Sequence, residues 1–409
     1  MNAAATPVVA CTVCGSSELE TALSFGPQPP ANRFIPAGKA DCIQDRHPLS
    51  LGRCLQCGTV QLVERMPIEA VRPRFDWLVY NEPEGHLDDV ADRLAGLPGL
   101  APDSRLMGVT YKDRSTLERM QKRGFGNVSC IAESTLGCLQ SPFGLESIQD
   151  RLSRPEVIDD LRARHGQAAL LMVRHITEHA VSASTLLRTL AQLVTPGGYL
   201  VLELPDSERV LRAGFHAFIW EEHLSYFTAE SAARLVAETG FRLVSLSRYA
   251  YPYEDSLIVV IEVGNDARAG NEKPTVPTAD DLLPGFARTF NLQRSEWHSR
   301  LSRLRQQGMP VAMFGAGHLS AKFINFFELS GLIECVIDDH PQKVGMHMPG
   351  SALPIIASSC LETGRIRHCI STLSPESESR VRLRLSRYFE QGGLFIPAFS
   401  AEPAGGGHG

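Results

Sequence analysis

The sequence predicts an α/β protein in three parts: a small cysteine-rich domain, a doubly wound α/β domain, and a second α/β domain. Residues 1–75 carry little helical periodicity, many prolines and glycines, and five of the ten cysteines. Over residues 78–265 and again over 285–400, short apolar runs alternate with helical patterns. Alternating strands and helices with short glycine breaks are typical of mostly parallel, doubly wound sheets. We therefore expect domains at 1–75, 78–265 and 285–400.

The length and composition limit the class of protein. A chain of 409 residues has room for two or three domains, and 43% hydrophobic with 21% charged residues is typical of a globular protein. The formal net charge of −6 gives no basic field for nucleic acid or a membrane surface. There is neither an apolar run of about 18 residues nor a basic stretch before an apolar one at the start. We expect a cytoplasmic protein with no nucleic-acid or membrane partner.

The middle block shows the alternation most clearly. Leu170–Val173 is a compact apolar run suited to a strand that is buried on both faces. A helix is predicted over Ser184–Val194, stopped by TPGG, and the next buried strand over Tyr199–Pro205. A further helix over Ala229–Thr239 is expected to end at Gly240.

The third block repeats this pattern after a polar segment. Residues 264–284 are rich in Gly, Pro and Asp and are predicted to be a linker or an exposed loop. An amphipathic helix is predicted over Gly285–Gln307, followed by strands at VAMF, ECVID, HCIST and GLFIPAF. The strand VAMF leads into Gly-Ala-Gly and a helix, whose N-terminal N–H groups favour an anion. Without a third glycine this is a weak dinucleotide motif, and an NAD-dependent dehydrogenase remains an alternative on pattern alone.

Two CxxC pairs mark the first block. Each pair can present two thiolates to one tetrahedral ion, and glycines (Gly15 and Gly58) follow both, as tight turns require. Two redox-active pairs are the alternative interpretation. The spacing favours a closed, structural Zn²⁺ site. Its predicted ligands are Cys11, Cys14, Cys54 and Cys57.

Several motifs, in order along nearly the whole chain, resemble the sugar-nucleotide C-methyltransferases. These enzymes transfer a methyl group from S-adenosylmethionine (SAM) to a deoxysugar carbon next to a keto group. The matching stretches are the cysteine quartet with FGPQPPANRF between its pairs, VRHITEH with LVTPGGYLVLELPD, EEHLSYFT, DSLIVV, and FGAGHLSAKFINF with VIDDHPQKVGMHMPGSALPI. The resemblance implies a zinc-binding domain, a SAM-methyltransferase domain, and a C-terminal Rossmann-like domain that holds a nucleotide-linked sugar.

The resemblance also implies catalytic residues. Its Tyr-x-Glu-His cluster falls on Trp220, Glu222 and His223, so tryptophan replaces the tyrosine. A separate tyrosine of the family's site falls on Tyr80. Removing a proton next to a ketone needs a base with a pKa near the working pH, and histidine is the side chain closest to that. A carboxylate supports the imidazolium, and a phenol donates to the developing enolate. An exposed acidic turn is the alternative interpretation of EEH.

The cofactor loop departs from the family pattern. The family has an acidic-x-Gly-x-x-x-Gly run after its first strand, but here the acidic position holds Met107 and the glycine positions hold Val109 and Asp113. Gly108 lies one place early, so only a shifted register would use it. Lys112 is either an anion ligand or part of a solvated helix start. The cofactor-binding candidates are Gly108, Lys112, Glu133 and His175.

For the substrate, the resemblance implies contacts from the EEHLSYF segment and from the C-terminal domain. The candidates are Trp220, Tyr226, Gly315, Gly317, Asn325, Asp338 and Lys343. We expect a sugar-nucleotide C-methyltransferase that uses proton abstraction and methyl transfer. Because the glycine loop departs from the pattern, a SAM-independent keto-sugar enzyme such as an epimerase, or a non-catalytic binding module, stays an alternative.

Overall fold

The computed structural model describes residues 9–42, 44–75, 77–78, 82–132, 136, 145–264 and 282–399, with the side chains of 145–147 left aside. The chain forms two compact units. The first unit comprises residues 1–22, 51–208 and 222–280, and the second comprises 23–50, 209–221 and 281–409.

A small sheet is formed by strands close to the cysteine pairs and by one short strand from the middle of the chain. Its strand order is β1-β2-β3-β8, and β8 pairs antiparallel with β3, with Tyr226 opposite Val60. A one-turn helix, α1 (Ile68–Val71), follows β3. The strands are β1 (Leu19–Gln28), β2 (His47–Cys54), β3 (Val60–Glu64) and β8 (Ser225–Tyr226).

The first unit is built on a six-stranded sheet with the order β5-β4-β6-β7-β10-β9. Strands β5, β4, β6 and β7 are parallel, whereas β10 is antiparallel to both β7 and β9. The strands are β4 (Arg105–Gly108), β5 (Asn127–Cys130), β6 (Ala168–Arg174), β7 (Val194–Asp206), β9 (Arg242–Tyr249) and β10 (Asp255–Val263). The helices are α2 (Leu87–Ala95), α3 (Arg114–Lys122), α4 (Leu145–Leu152), α5 (Pro155–His165), α6 (Ala183–Leu190), α7 (Glu208–Ala213) and α8 (Ala229–Thr239).

Strand β6 shows why the sheet is covered on both faces. Leu171 and Val173 belong to one buried apolar cluster, and the alternating residues Leu170 and Met172 belong to another. Since successive side chains of a strand point to opposite faces, a continuous apolar run needs helices on both sides. The predicted doubly wound α/β class is confirmed.

The second unit contains a five-stranded, fully parallel sheet with the order β13-β12-β11-β14-β15. The strands are β11 (Val311–Phe314), β12 (Cys335–Ile337), β13 (Ile355–Ile356), β14 (His368–Ser371) and β15 (Leu394–Pro397). The helices are α9 (Leu282–Gln306), α10 (His318–Phe326), α11 (Pro375–Arg384) and α12 (Ser386–Glu390). Across the described ranges, every helix is either too short or too polar to cross a bilayer.

Element boundaries differ from the prediction in two places. TPGG does not precede β7 but lies inside it. A Cβ at Gly198 would lie 2.7 Å from the carbonyl oxygen of Ala169, so this position of the strand requires glycine. Helix α9 begins at Leu282, inside the segment predicted as a linker. Residues 265–281 of that segment lie outside the described part of the chain. The predicted end of α8 is correct: Gly240 takes a left-handed conformation with φ 78°.

Candidate active site

The four predicted zinc ligands come together in the first unit. Cys11 Sγ lies 3.4 Å from Cys57 Sγ, and Cys14 Sγ lies 3.6 Å from Cys54 Sγ. All four sulfur atoms lie within 4.8 Å of one another. Thiolates about 2.3 Å from a tetrahedral Zn²⁺ are about 3.8 Å apart, so the donor set fits zinc. Four thiolates close the coordination shell, and the ion would therefore be structural.

Backbone and side-chain contacts join the cysteine cluster to strand β8. Thr12, inside the first CxxC pair, has its hydroxyl 2.7 Å from the Ser225 hydroxyl, and its N–H donates to Gln61 Oε1 at 3.0 Å. The N–H of Ala183 donates to the Thr12 carbonyl at 2.7 Å. Ser225 is two residues beyond His223, so the zinc domain supports the segment that carries the predicted base.

The loop after β4 is closed by Asp113, a fully buried residue. Its Oδ2 accepts the N–H groups of Val109 (2.7 Å) and Thr110 (2.8 Å), and its Oδ1 accepts the N–H of Arg174 at 2.9 Å. A Cβ at Gly108 would lie 2.7 Å from the Asp113 Cβ. Gly108 therefore makes room for the protein's own carboxylate. Its predicted role as an open cofactor contact has no support in this geometry.

Lys112 also has an internal partner. Its Nζ lies 2.9 Å from Glu82 Oε1, and the lysine side chain is only 7% exposed. The Lys112 carbonyl accepts a hydrogen bond from the guanidinium of Arg174. The pairing leaves the ammonium group occupied, which argues against Lys112 as an anion ligand and also against a solvated helix start.

A buried charge network lies at the carboxyl ends of β6 and β7, with Glu203 at its centre. Glu203 accepts from the Arg174 Nε, and its Oε1 lies 3.2 Å from His175 Nε2 and 3.1 Å from His86 Nε2. The Ser256 hydroxyl donates to the same oxygen at 3.0 Å. Arg174 and Glu203 are both about 1% exposed. Such a network stays folded only when its charges are paired.

His175 takes part in this network as a cation. Burial by itself would lower its pKa, but the carboxylates of Glu82 and Glu203 raise the pKa to about 10. His175 also has a positive φ of 53°, which is uncommon for a residue other than glycine. The strained backbone holds the ring between Glu203 and Glu178. The Glu178 Oε1 lies 3.6 Å from His175 Nδ1.

The Glu222–His223 pair is held by the 3₁₀ turn after β6. His179 Nδ1–H donates to the Glu222 carbonyl at 2.8 Å, and the N–H of Leu224 donates to the Glu178 carbonyl at 2.8 Å. The rings of His179 and His223 meet edge-to-face with centroids 4.8 Å apart. Glu222 is buried, whereas His223 is half-buried. A half-buried imidazole is a workable general base, and the Glu178 carboxylate lies within 4.8 Å of the ring nitrogens of His179 and His223.

Two of the predicted site residues lie outside the described part of the chain, and a third belongs to the small sheet. Tyr80 and Glu133 lie outside the described residues. Tyr226 is 1% exposed and is the last residue of β8, with its ring centroid 6.4 Å from that of His223. Its burial favours packing of the small sheet over contact with a substrate.

In the second unit, the loop after β11 is also closed internally. Asp338 Oδ2 accepts the N–H of Ala316 at 2.9 Å, and Lys343 Nζ lies 3.3 Å from the same oxygen. Gly315 has φ 97° and Gly317 is the N-cap of α10. The glycine, aspartate and lysine of the prediction therefore meet at one loop, where the carboxylate occupies an N–H that a dinucleotide would need.

Asn325 and Trp220 have partners elsewhere in the second unit. The Asn325 amide donates to the Pro349 carbonyl at 3.0 Å. The Trp220 ring stacks on His318 with centroids 3.6 Å apart. Next to it, Glu221 forms a buried ion pair with Lys322 at 2.6 Å. Both sequence candidates are thus packed in place by neighbouring side chains.

Sequence analysis did not find Arg174, Glu203, Glu178 and Glu254 as site residues. Arg174 is the last residue of β6 and Glu203 lies three residues before the end of β7, close to the usual position of functional side chains in parallel sheets, and that position was a usable signal. Lys322 and Glu221 are far apart in the sequence, and no local pattern joins them.

Comparison with known proteins agrees with this architecture. Residues 11–71 match a family model described as a zinc binding domain, 144–246 a methyltransferase domain, and 267–399 a C-methyltransferase C-terminal domain. The C-methyltransferase NovU of Streptomyces niveus is 24% identical over 366 residues, which cover 85% of this chain and 86% of NovU.

Solved structures match more weakly and over one part of the chain. An O-methyltransferase family protein from Burkholderia thailandensis is 16% identical with a TM-score of 0.29, covering 44% of this chain and 56% of that protein. The carbon methyltransferase CurJ is 15% identical with a TM-score of 0.30, covering 44% and 54%. The three domain matches, together with the relative that spans most of the chain, support a SAM-dependent C-methyltransferase enzyme that carries a zinc-binding domain and a C-methyltransferase C-terminal domain.

Proposed function

We propose that this C-methyltransferase acts on a nucleotide-linked sugar, at a carbon next to a keto group. The observation that supports it best is the Glu222–His223 pair, which two hydrogen bonds fix against the 3₁₀ turn after β6. The sugar-nucleotide class comes from the resemblance of the sequence motifs. A carbon nucleophile has to be generated before methyl transfer, and loss of a proton next to a ketone generates one.

His223 is the proposed base. It takes the proton from the carbon next to the keto group, and the electron pair of the broken C–H bond delocalises onto the keto oxygen as an enolate. The carboxylate of Glu222 stabilises the imidazolium that forms. Because His179 donates its Nδ1–H to the Glu222 carbonyl, its ring is fixed in one tautomer against His223. The phenol of Tyr80 remains the predicted donor to the enolate oxygen.

SAM supplies an electrophilic methyl group when it is bound. The residues of the loop after β4 do not fit it as the family's glycines do, because Asp113 takes up the N–H groups of Val109 and Thr110. The sulfonium and ammonium groups of SAM are cationic, so carboxylate side chains are the groups that suit them. Glu178, with one buried and unpaired carboxylate oxygen, and Glu254 would hold these cationic groups.

The closed loop also favours a second candidate function. An enzyme that keeps the base but does not use SAM would exchange or invert the proton next to the keto group, as an epimerase does. Asp113, which occupies the loop in place of a ligand, is the observation in its favour.

The test is solvent exchange of the substrate proton. The zinc-loaded protein is incubated in D₂O with nucleoside diphosphate keto-deoxysugars, with and without SAM, and the sugars are analysed by mass spectrometry and NMR. We expect deuterium uptake next to the keto group, and a product heavier by one methylene group when SAM is present. Exchange without any methylated product would favour the epimerase-type function.

Variants of the proposed base sharpen this test. His223→Asn should reduce exchange by about 100-fold or more, as expected for loss of a general base. His165→Asn, the same change at the last residue of α5, is the matched control and should retain exchange. If His223→Asn exchanged at the unaltered rate, His223 would not be the base; if the unaltered protein exchanged no keto-sugar proton, the proposed function itself would be wrong.

A further inference from the structure

The carboxyl edge of the first unit's large sheet gathers more acidic groups than its cations neutralise. Three acids there have a cationic partner: Glu82 pairs with Lys112, Glu203 with Arg174, and Asp206 with Arg248. His175 lies between Glu203 and Glu178. Asp113 is satisfied by backbone N–H groups. The carboxylates that stay wholly or partly uncompensated are those of Glu178 and Glu254.

Glu178 presents a buried oxygen without a hydrogen-bond donor. The side chain is 1% exposed, and its Oε1 lies 3.6 Å from His175 Nδ1. Within the described residues, its Oε2 has no hydrogen-bond partner. A buried carboxylate oxygen without a partner is destabilising, and a bound cation would remove that cost.

Glu254 lies at the same edge for a topological reason. It directly precedes β10, and because β10 is antiparallel to β7, the start of β10 meets the carboxyl end of β7, with Asp255 opposite Asp206. Burial and repulsion by the carboxylates of Glu82 and Glu178 raise the pKa of Glu254 to about 8. At neutral pH the Glu254 carboxyl is therefore mostly protonated, and a cationic ligand bound at this edge would favour its ionised form.

The same edge offers no donor for a carboxylate ligand among the described residues named above. The N–H groups of Val109 and Thr110 bind Asp113, the ammonium of Lys112 binds Glu82, and the guanidinium of Arg174 binds Glu203. Each of these four groups already has an anionic partner inside the protein.

Building on the proposed function, we infer that Glu178 and Glu254 recognise SAM through its ammonium and sulfonium charges, and that the site does not recognise the SAM carboxylate. The cofactor specificity of this chain then depends on net charge. Decarboxylated SAM carries two positive charges, SAM one net positive charge, and S-adenosylhomocysteine none.

The experiment is calorimetric titration of the full-length, zinc-loaded protein with these three compounds at pH 7, where their ammonium groups are mostly protonated. We expect decarboxylated SAM to bind at least as tightly as SAM, and S-adenosylhomocysteine about tenfold more weakly, a difference of about 1.4 kcal/mol. Binding of decarboxylated SAM about tenfold weaker than SAM would overturn the inference. Equal affinity for all three compounds, or no binding of any at millimolar concentration, would overturn it as well.

Two variants locate the effect. Glu254→Gln should weaken SAM about fivefold or more and S-adenosylhomocysteine by a smaller factor, because SAM has the sulfonium charge in addition to the ammonium that both compounds carry. Glu118→Gln, an exposed residue of α3, removes the same charge elsewhere and should change neither affinity. Glu178→Gln should act like Glu254→Gln, and the Glu254 variant decides the matter if the Glu178 variant does not fold. Proton exchange on a keto-sugar needs no SAM, so it tests the proposed function independently of this titration.

Discussion

The loops after β4 and β11 each follow a strand that has a parallel neighbour on both sides, and each loop is closed by an aspartate of the same chain. Asp113 comes from the turn before α3, is fully buried, and accepts three backbone N–H groups. Asp338 comes from the end of the neighbouring strand, is 18% exposed in its side chain, and has Lys343 beside it. The first loop is thus locked into a buried network, whereas the second is a polar turn that water reaches.

This difference shows where ligand recognition can take place. A strand–turn–helix unit binds anions through backbone N–H groups only when those groups are available. In the first unit these backbone N–H groups already donate to Asp113, so ligand recognition has to come from side chains such as Glu178 and Glu254. In the second unit the half-buried Asp338–Lys343 pair can be displaced at a smaller cost, since its charges are already partly solvated.

Metal removal should give the largest difference between the two units. All four zinc ligands belong to the first unit, and structural zinc contributes about 10 kcal/mol or more in small zinc domains. We expect a strong chelator, or Cys54→Ser, to abolish hydrogen-exchange protection in residues 9–22 and 51–64 and to leave β11–β15 protected. Cys42→Ser, an exposed cysteine outside the quartet, is the control. Unchanged protection after verified zinc loss would contradict a structural role for the ion.

Glu203→Gln tests the buried network itself. Removing this charge leaves the guanidinium of Arg174 buried without its main partner, which should cost about 3–5 kcal/mol in the free energy of unfolding. Chemical denaturation monitored by hydrogen exchange would assign the loss to the first unit. Glu118→Gln removes an exposed charge in the same unit and should change stability by less than about 0.5 kcal/mol. If Glu203→Gln reduced the free energy of unfolding by as little as Glu118→Gln does, the network would not be needed for folding.

The two aspartates can be compared directly. Asp113→Ala leaves three buried N–H groups without an acceptor and should cost about 3 kcal/mol or more, whereas Asp338→Ala exposes its donors to water and should cost about 1 kcal/mol. Denaturant midpoints of both variants provide the measurement. Equal losses would mean that burial does not distinguish the two loops.

The smallest expected effect is a pH dependence confined to the first unit. Burial raises the pKa of Asp113 from 3.8 to about 7, so the folded state binds the extra proton and stability falls as pH rises through that window. The raised pKa of His175, about 10 against 6.5, stabilises the folded state fully below pH 6.5 and is lost as pH rises toward 10. We expect Tm to fall by a few degrees between pH 6 and 10.

His175→Gln should reduce the fall of Tm in the upper part of this pH range. Asp113→Asn should remove the lower part of the fall, near pH 6 to 7, where Asp113 titrates. A Tm that rises with pH in the unaltered protein would mean that these groups titrate in the opposite sense.

The amino-acid sequence by itself determined the zinc ligands and the fold class. CxxC spacing and strand periodicity are local properties of the sequence. Burial of β6 on both faces follows from its continuous run of apolar residues. The position of Glu222 and His223 also followed from a local motif, whereas their proposed roles rest on the family resemblance.

Only the tertiary structure decided what the cofactor loop does. Whether Asp113 points outward or closes the loop depends on Arg174, 61 residues away in the sequence, and the pairing of Lys112 depends on Glu82, 30 residues away. A charged side chain is placed by partners that come near only when the sheet forms, because electrostatic and hydrogen-bond energies depend on distance and burial. Periodicity can therefore place a strand, but it cannot tell which buried charges that strand will neutralise.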